Sequence, residues 1–271
     1  MTTFQKIIKY CAVAFAVFII ASIITGFLSV LKIFSFISDS KNTVGEMKAF
    51  DVSGNVKNLE VEISAADFEI KEGNAFRVES NYKNLKVEEK SGALKITEKK
   101  KPFSISVKDI KLIIYLPKGL IFEKADITSG VGKLSFEKLS AQKLVLDFGV
   151  GKAVINELEA LDSATINGGA GFVEIRNGWL NNLTLDMGVG KFKLKSKLTG
   201  KSDIDHGIGN GEIILLGSKE DYSLDIDKGL GQTTVDGEKI EDDTTFGTGN
   251  NRVEIDGGIG EINIKFENAE D

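Results

Sequence analysis

Apolar and polar residues alternate through most of this chain, and glycine-rich bends interrupt the alternation at regular intervals. From residue 51 to residue 266, Ile, Leu, Val and Phe recur at alternate positions of short runs, which is typical of strands with one buried face. β-Branched residues are frequent at these positions, as strands favour. The pattern predicts an all-β fold.

Eight Gly-x-Gly pairs mark the bends, and seven of them have Ile or Leu three residues before the first glycine. The first glycine recurs after 19, 20, 19, 19, 22, 18 and 11 residues. This nearly constant period indicates stacked coils, because one coil alone cannot bury its apolar face. We therefore predict a parallel β-solenoid, or β-helix, of about 19–22-residue coils; an antiparallel meander folded into a sandwich or barrel is the alternative. The pairs are Gly130/Gly132, Gly149/Gly151, Gly169/Gly171, Gly188/Gly190, Gly207/Gly209, Gly229/Gly231, Gly247/Gly249 and Gly258/Gly260.

The residue between the two glycines is apolar in seven of the eight pairs. We expect it to point inward and to fill the corner of its coil. These residues are Val131, Val150, Ala170, Val189, Ile208, Leu230, Thr248 and Ile259.

Both ends of the array depart from the repeat. Residues 51–116 alternate without a Gly-x-Gly pair, and the Ser-Ala-Ala sequence at residues 64–66 stands where a degenerate bend would be. We expect this part to open the stack, with hairpins that cap the first coil. The seventh pair, Gly247/Gly249, has polar neighbours, and the eighth pair follows at once, so atypical coils are expected to end the stack.

An uncharged run of 22 residues, 10–31, lies near the amino terminus. As a helix it would be about 33 Å long, which is enough to cross a bilayer. Lys6 and Lys9 before it favour a cytoplasmic amino terminus. We predict a single-pass signal anchor in the cell membrane with an extracellular carboxyl-terminal domain; a cleaved signal peptide is the alternative. The predicted divisions are a cytoplasmic tail and transmembrane helix at 1–38, a linker at 39–50, the β-solenoid domain at 51–266 and an acidic tail at 267–271.

Composition excludes several classes of function. The net charge is −6 with Lys and Glu interspersed, so no basic stripe for nucleic acid is present. Cys11 is the only cysteine and lies in the predicted span, which leaves the solenoid without a disulfide. His206 is the only histidine, which excludes histidine triads and multi-histidine metal sites. No pair extends to G-x-G-x-x-G. We predict no enzyme and no catalytic, cofactor-binding or metal-binding residue.

One polar column accompanies the bends, because the residue two before each first glycine can accept a hydrogen bond. Such side chains close Asx-type and Ser/Thr-type turns. Stacked carboxylates would also repel one another, so the sequence leaves open whether the aspartates of this column bind cations. The column consists of Thr128, Asp147, Asn167, Asp186, Asp205, Asp227, Thr245 and Asp256.

Three segments in this order resemble a bacterial family of unknown function. They are residues 112–119 (Leu-Ile-Ile-Tyr-Leu-Pro-Lys-Gly), the Gly-x-Gly array, and residues 255–266 (Ile-Asp-Gly-Gly-Ile-Gly-Glu-Ile-Asn-Ile-Lys-Phe). The family is described as adhesin-like, with β-helical repeats akin to the heads of autotransporter adhesins. The resemblance covers residues 50–266 and implies an envelope-associated β-solenoid without established catalysis, some relatives being linked to cell-envelope stress.

We therefore expect a non-catalytic binding or scaffold module at the bacterial cell envelope. Its expected partners are the membrane and a cell-wall polymer, a lipid or an envelope protein. Two alternatives stay open. A β-helical polysaccharide lyase or hydrolase would need carboxylates and basic groups clustered in a groove on one face, and an accessory subunit of an envelope-stress sensor would act through residues 10–31.

Overall fold

The computed structural model describes residues 44–53, 55–99, 110–241 and 243–268. These residues form fifteen strands, a short 3-10 turn at Lys219–Asp221 and no α-helix, which confirms the all-β prediction. The strands are β1 (Val44–Asp51), β2 (Asn58–Gly73), β3 (Arg77–Tyr82), β4 (Leu85–Lys90), β5 (Ala93–Glu98), β6 (Lys111–Pro117), β7 (Phe122–Ile175), β8 (Gly178–Asn181), β9 (Leu183–Thr199), β10 (Lys201–Leu216), β11 (Tyr222–Asp227), β12 (Leu230–Val235), β13 (Glu238–Ile240), β14 (Thr244–Phe246) and β15 (Asn251–Glu267).

Parallel pairing stacks like bends upon one another. β2 pairs in parallel with β7, β7 with β9, β9 with β10 and β10 with β15. The second glycine of each pair is the register partner of the second glycine in the next coil, as Gly171 is of Gly190 and Gly190 is of Gly209. These strands therefore form a solenoid-like stack of parallel coils rather than an antiparallel meander.

The apolar columns predicted from the alternation fill the inside of the coils. Side chains three residues before the first glycine and four after the second glycine are at most 3% exposed in the stacked coils. Burying one such aliphatic side chain contributes about 1.5–3 kcal/mol, and each coil buries its side chains against its neighbours. The buried members are Ile127, Leu146, Ile166, Leu185, Ile204, Ile226, Ile255, Phe136, Ile155, Ile175, Leu194, Ile213, Val235 and Ile264.

The bend glycines bring the backbones of successive coils into direct contact. A Cβ atom on Gly190 would lie 2.0 Å from the carbonyl oxygen of Gly171, and one on Gly209 would lie 1.7 Å from that of Gly190. The φ angle of Gly190 is also 137°, which L residues rarely adopt. Any side chain here would force the coils apart, so the repeat needs glycine at this place.

Hairpins cap the amino-terminal end of the stack, as predicted. β5 and β6 pair in parallel with the two halves of β2, and β4, β3 and β1 follow outside them in antiparallel pairs. The Ser-Ala-Ala sequence at 64–66 is the degenerate bend, because Ala65 and Ala66 are the register partners of Val131 and Gly132.

The carboxyl-terminal end differs from the prediction in two respects. β15, which carries the eighth Gly-x-Gly pair, does not end the stack: it lies between β10 on one side and β11 and β12 on the other. The seventh pair, Gly247/Gly249, makes no stacked bend, and β14 before it pairs antiparallel with β11. Coils with the same columns fit one another in any order, so order along the chain does not fix order in the stack.

Two predictions concern the amino-terminal region. Residues 44–50, which the sequence pattern assigned to the linker, belong to β1 and pair with β3. The predicted span at residues 10–31 lies outside the described residues. Within the described ranges, no helix has the length and apolar character that crossing a membrane requires.

The glycine contact predicts a large difference between two alanine substitutions. Gly119→Ala should cost about 1–2 kcal/mol, because Gly119 has a φ of 75° but nothing within 4 Å of an added Cβ. Gly190→Ala combines a backbone clash with the strain of its own positive φ of 137°, and we expect it to cost about 3 kcal/mol or more. Urea unfolding of the purified full chain measures both, and equal losses would show that the close approach of the coils does not matter.

Candidate functional site

The residues between the paired glycines form a partly exposed apolar line along the stack. Leu230 is 74% exposed, Val189 46% and Ile259 40%, and the other four residues of the line are half-buried, so the prediction that this column fills the corner from inside is wrong. Register pairing places Ile208 against Val189 on one side and Ile259 on the other. We call this line the corner ridge; in stack order it comprises Val131, Val150, Ala170, Val189, Ile208, Ile259 and Leu230.

Other side chains occupy the inside of the corner. In β9, Met187 is buried just before the bend and Phe192 just after it, each about 1% exposed. These buried positions are five residues apart, so the alternation changes phase by one residue within the bend. The ridge residue falls at this change of phase, where the backbone turns and exposes it.

A column of carboxylates runs along one side of the corner ridge. Asp186, Asp205, Asp256 and Asp227 are register partners in four successive coils, about 4.8 Å apart along the stack, and all four are exposed. The pKa of Asp205 is raised, mainly by partial desolvation and further by the negative charges of Asp186 and Asp203. The pKa of Asp256 is raised in the same way, mainly by partial desolvation and then by neighbouring negative charges, of which Asp205 has the largest effect. The column therefore carries like charges that repel one another.

The sequence left two roles open for this column. The turn role is present at one position, because the Gly229 amide donates a 3.0 Å hydrogen bond to Asp227 Oδ1. Between coils, the Asn167 side-chain amide donates to Asp147 Oδ1. For the cation role, the described part of the chain holds no group of three or more Asp, Glu, His or Cys side chains arranged to bind a metal ion.

A column of lysines begins on the opposite side of the corner ridge. Lys133, Lys152 and Lys191 directly follow the second glycine of their bends and are exposed. The Lys152 ammonium lies 5.3 Å from the centre of the Phe172 ring. Among the described residues, Lys133 and Lys191 form no ion pair within 4 Å. In these three coils the ridge residue thus separates a hydrogen-bond acceptor on one side from a cation on the other.

We expect the substitution Asp205→Asn to stabilise the fold at pH 7. The raised pKa means that ionised Asp205 opposes folding, and the penalty disappears as the pH falls through the folded-state pKa. Removing one like charge between neighbouring strands should add about 0.2–1 kcal/mol at pH 7 and nothing near pH 3, measured by thermal unfolding. The control is Asp126→Asn, which removes an ion pair with Lys124 at 2.7 Å and should bring no gain.

His206 lies on the inner side of the bend and is 2% exposed. Its ring packs edge-on against Phe192, with centroids 5.2 Å apart, and neither nitrogen has a hydrogen bond of normal geometry in the described residues. Burial lowers the pKa of His206, and the nearby Gly209 backbone offsets this only in part. The imidazole is therefore a neutral core group and not a catalytic base at the surface.

His206→Met should stabilise the fold and remove a source of acid sensitivity. Met187 occupies the same place in the neighbouring coil, so methionine fits the column. The unfolded chain takes up a proton near pH 6.5 that the folded chain resists, so His206 costs stability as the pH falls below that value. We expect a gain of about 1–2 kcal/mol at pH 7.5 and a larger gain at pH 5 in thermal unfolding. A gain that does not grow between these two pH values would contradict this explanation.

A second candidate surface is an open groove of about 230 Å³ on the strands that follow the bends. Carboxylates and basic groups do meet there, as the hydrolase alternative requires. They are paired, however: Arg176 with Glu174 at 3.2 Å, and Lys193 with Glu212 at 2.7 Å. The Glu212 hydrogen bond raises the pKa of Lys193, which keeps this lysine protonated. Lys193 and Glu212 pair between neighbouring coils, whereas Arg176 and Glu174 pair within one coil.

One protein family matches the chain over more than half of its length. The profile of the family described as Toastrack DUF4097 matches residues 53–265. No curated protein matches the chain.

Several solved structures are similar to the chain at low identity. A proposed cell adhesion protein from Clostridium sporogenes ATCC 15579 is 18% identical with a TM-score of 0.35, over 82% of this chain and 99% of that one. A proposed adhesin from Bacteroides fragilis NCTC 9343 is 12% identical with a TM-score of 0.41, over 83% and 98%. A proposed lipid binding protein from Parabacteroides distasonis ATCC 8503 is 13% identical with a TM-score of 0.38, over 82% and 98%. At TM-scores this low, the likeness carries no argument about function.

Proposed function

This chain belongs to the Toastrack DUF4097 family, a domain of unknown function, and we propose that it is a non-catalytic binding and scaffold module. A single span at residues 10–31 holds it in the cell membrane, with the coils outside a bacterial cell. The corner ridge is its contact surface.

The exposed ridge is the observation that carries this proposal. A monomer gains nothing from leaving Leu230 74% exposed and Val189 46% exposed in register with other apolar residues. Single exposed apolar residues are ordinary, but a continuous line rimmed by charged groups is typical of an interaction surface. The regular spacing of the coils suits an extended partner with a repeated contact.

Three further observations support a binding role over catalysis. The carboxylates and basic groups of the groove are engaged in ion pairs. His206 is buried away from the surface. The three arginines of the chain, Arg77, Arg176 and Arg252, are each paired with a neighbouring carboxylate.

A labelling experiment on intact cells tests the location and the contact surface together. In a Cys11→Ser background, the full chain receives one new cysteine, at Ile259 on the ridge or at Lys197, which is exposed on the last strand segment of its coil. A membrane-impermeant maleimide should label Lys197→Cys rapidly on intact cells. It should label Ile259→Cys at least about fivefold more slowly on cells than in the purified chain, because a partner covers the ridge.

The controls separate the two parts of the proposal. Thr3→Cys, in the predicted cytoplasmic tail, should react only after the cells are permeabilised. If Lys197→Cys also reacts only then, the extracellular location is wrong. If Ile259→Cys reacts equally fast on cells and after purification, the ridge is not a contact surface.

A further inference from the structure

Acidic and basic groups flank the corner ridge in a way that matches a second copy of the same surface. In one coil Asp147 precedes the ridge residue Val150 and Lys152 follows it. Two coils further along, Asp186, Val189 and Lys191 repeat the arrangement. Each of these coils therefore presents a negative charge, an apolar side chain and a positive charge in a row across the corner.

We propose that the corner ridge is a homodimer contact, in which two copies lie side by side with their stacks parallel. The twofold axis runs along the stacking direction, between the two ridges. This inference rests on the proposed function, since it names the partner of the same surface.

The direction of the axis follows from the charges. A twofold axis along the stack places each ridge residue opposite itself and the acidic side of one copy against the lysine side of the other. Asp147 then faces the second copy's Lys152, and Asp186 faces its Lys191, each pair occurring twice by symmetry. A twofold axis across the stack would instead place the acceptor column of one copy against the acceptor column of the other. That column contains no lysine, so its aspartates would meet no opposite charge.

The complementarity is concentrated in the coils nearer the amino terminus. In the last three coils the residues after the second glycine are Asn210, Glu261 and Gln232. Asp205 and Asp227 would face neutral amides there, and only Asp256 would face a like charge, Glu261. Two attractive charge pairs thus stand against one repulsive pair on each side of the axis.

The size of the contact fits an association that depends on the membrane. Seven coils about 4.8 Å apart give a ridge of roughly 29 Å, and a line this narrow buries less than the roughly 800 Å² per partner of a standard interface. Anchoring both chains in one membrane raises their effective concentration. It also holds the amino-terminal ends of both chains at the same lipid surface. A parallel pair needs this arrangement, and an antiparallel pair is incompatible with it.

The test uses the full chain with Cys11→Ser, reconstituted in liposomes and oxidised mildly. Val189→Cys should form a disulfide-linked dimer, because residue 189 meets itself on the axis. Lys197→Cys, which lies away from the corner ridge, is the matched control and should remain monomeric.

Charge reversal makes the test specific. In the Val189→Cys background, Asp186→Lys or Lys191→Asp alone creates two like-charge pairs across the axis, and we expect each to slow cross-linking about three- to tenfold. The double variant Asp186→Lys/Lys191→Asp restores opposite charges and should recover most of the rate. All three changes are at exposed positions, and a circular dichroism melt confirms that each variant folds.

The following outcomes would contradict the homodimer proposal. Equal cross-linking of Val189→Cys and Lys197→Cys would indicate random collision, and failure of the double variant to recover would exclude the parallel twofold arrangement. A ridge cysteine that is shielded on cells but forms no dimer in liposomes would mean that another partner covers the ridge. The proposed binding function would then stand without the homodimer. A ridge cysteine shielded in liposomes without a dimer would identify the lipid surface as that partner.

Discussion

Direct backbone contact at the glycine bends is the constraint on which the rest of the structure depends. A Cβ atom added to the second glycine of a stacked bend would lie 2.0 Å from the carbonyl oxygen of the equivalent glycine in the neighbouring coil, as at Gly151, Gly171 and Gly190. Only glycine permits this approach, and it aligns the bends of the stacked coils in one line. The aligned bends place the intervening apolar residues side by side at the surface. The corner ridge is thus a consequence of the stacking.

The same repetition explains why order along the chain and order in the stack differ. β15 pairs with β10 through Ile204 and Ile255, and with β11 through Ile226 and Ile255. Since these columns are alike in every coil, the apolar core alone does not determine which coil lies next to which. β13 and β14 pair antiparallel with β12 and β11, so the coil of the sixth pair, Gly229/Gly231, carries the covering strands at its end of the stack.

Sequence predicted the buried columns and the parallel stack well, because both follow from strict alternation and a constant period. It failed at Val189 and its equivalents for a physical reason. Alternation counted from the strand before the bend places this residue inside, and alternation counted from the strand after it places the residue outside. The phase changes within Gly-x-Gly, and only the backbone path decides the outcome. The sequence does show acceptors two residues before the first glycine and lysines directly after the second glycine of some pairs. It does not show that these residues flank an exposed ridge.

The most direct test of this account is the spatial neighbour of Ile208. Methyl-resolved NMR of the full chain in detergent micelles would measure contacts among Ile208, Ile259 and Leu230. The account predicts cross-peaks between Ile208 and Ile259 and between Ile259 and Leu230, since these are register partners in adjacent coils. Strong cross-peaks between Ile208 and Leu230, with none to Ile259, would show that the coils stack in chain order and would contradict it.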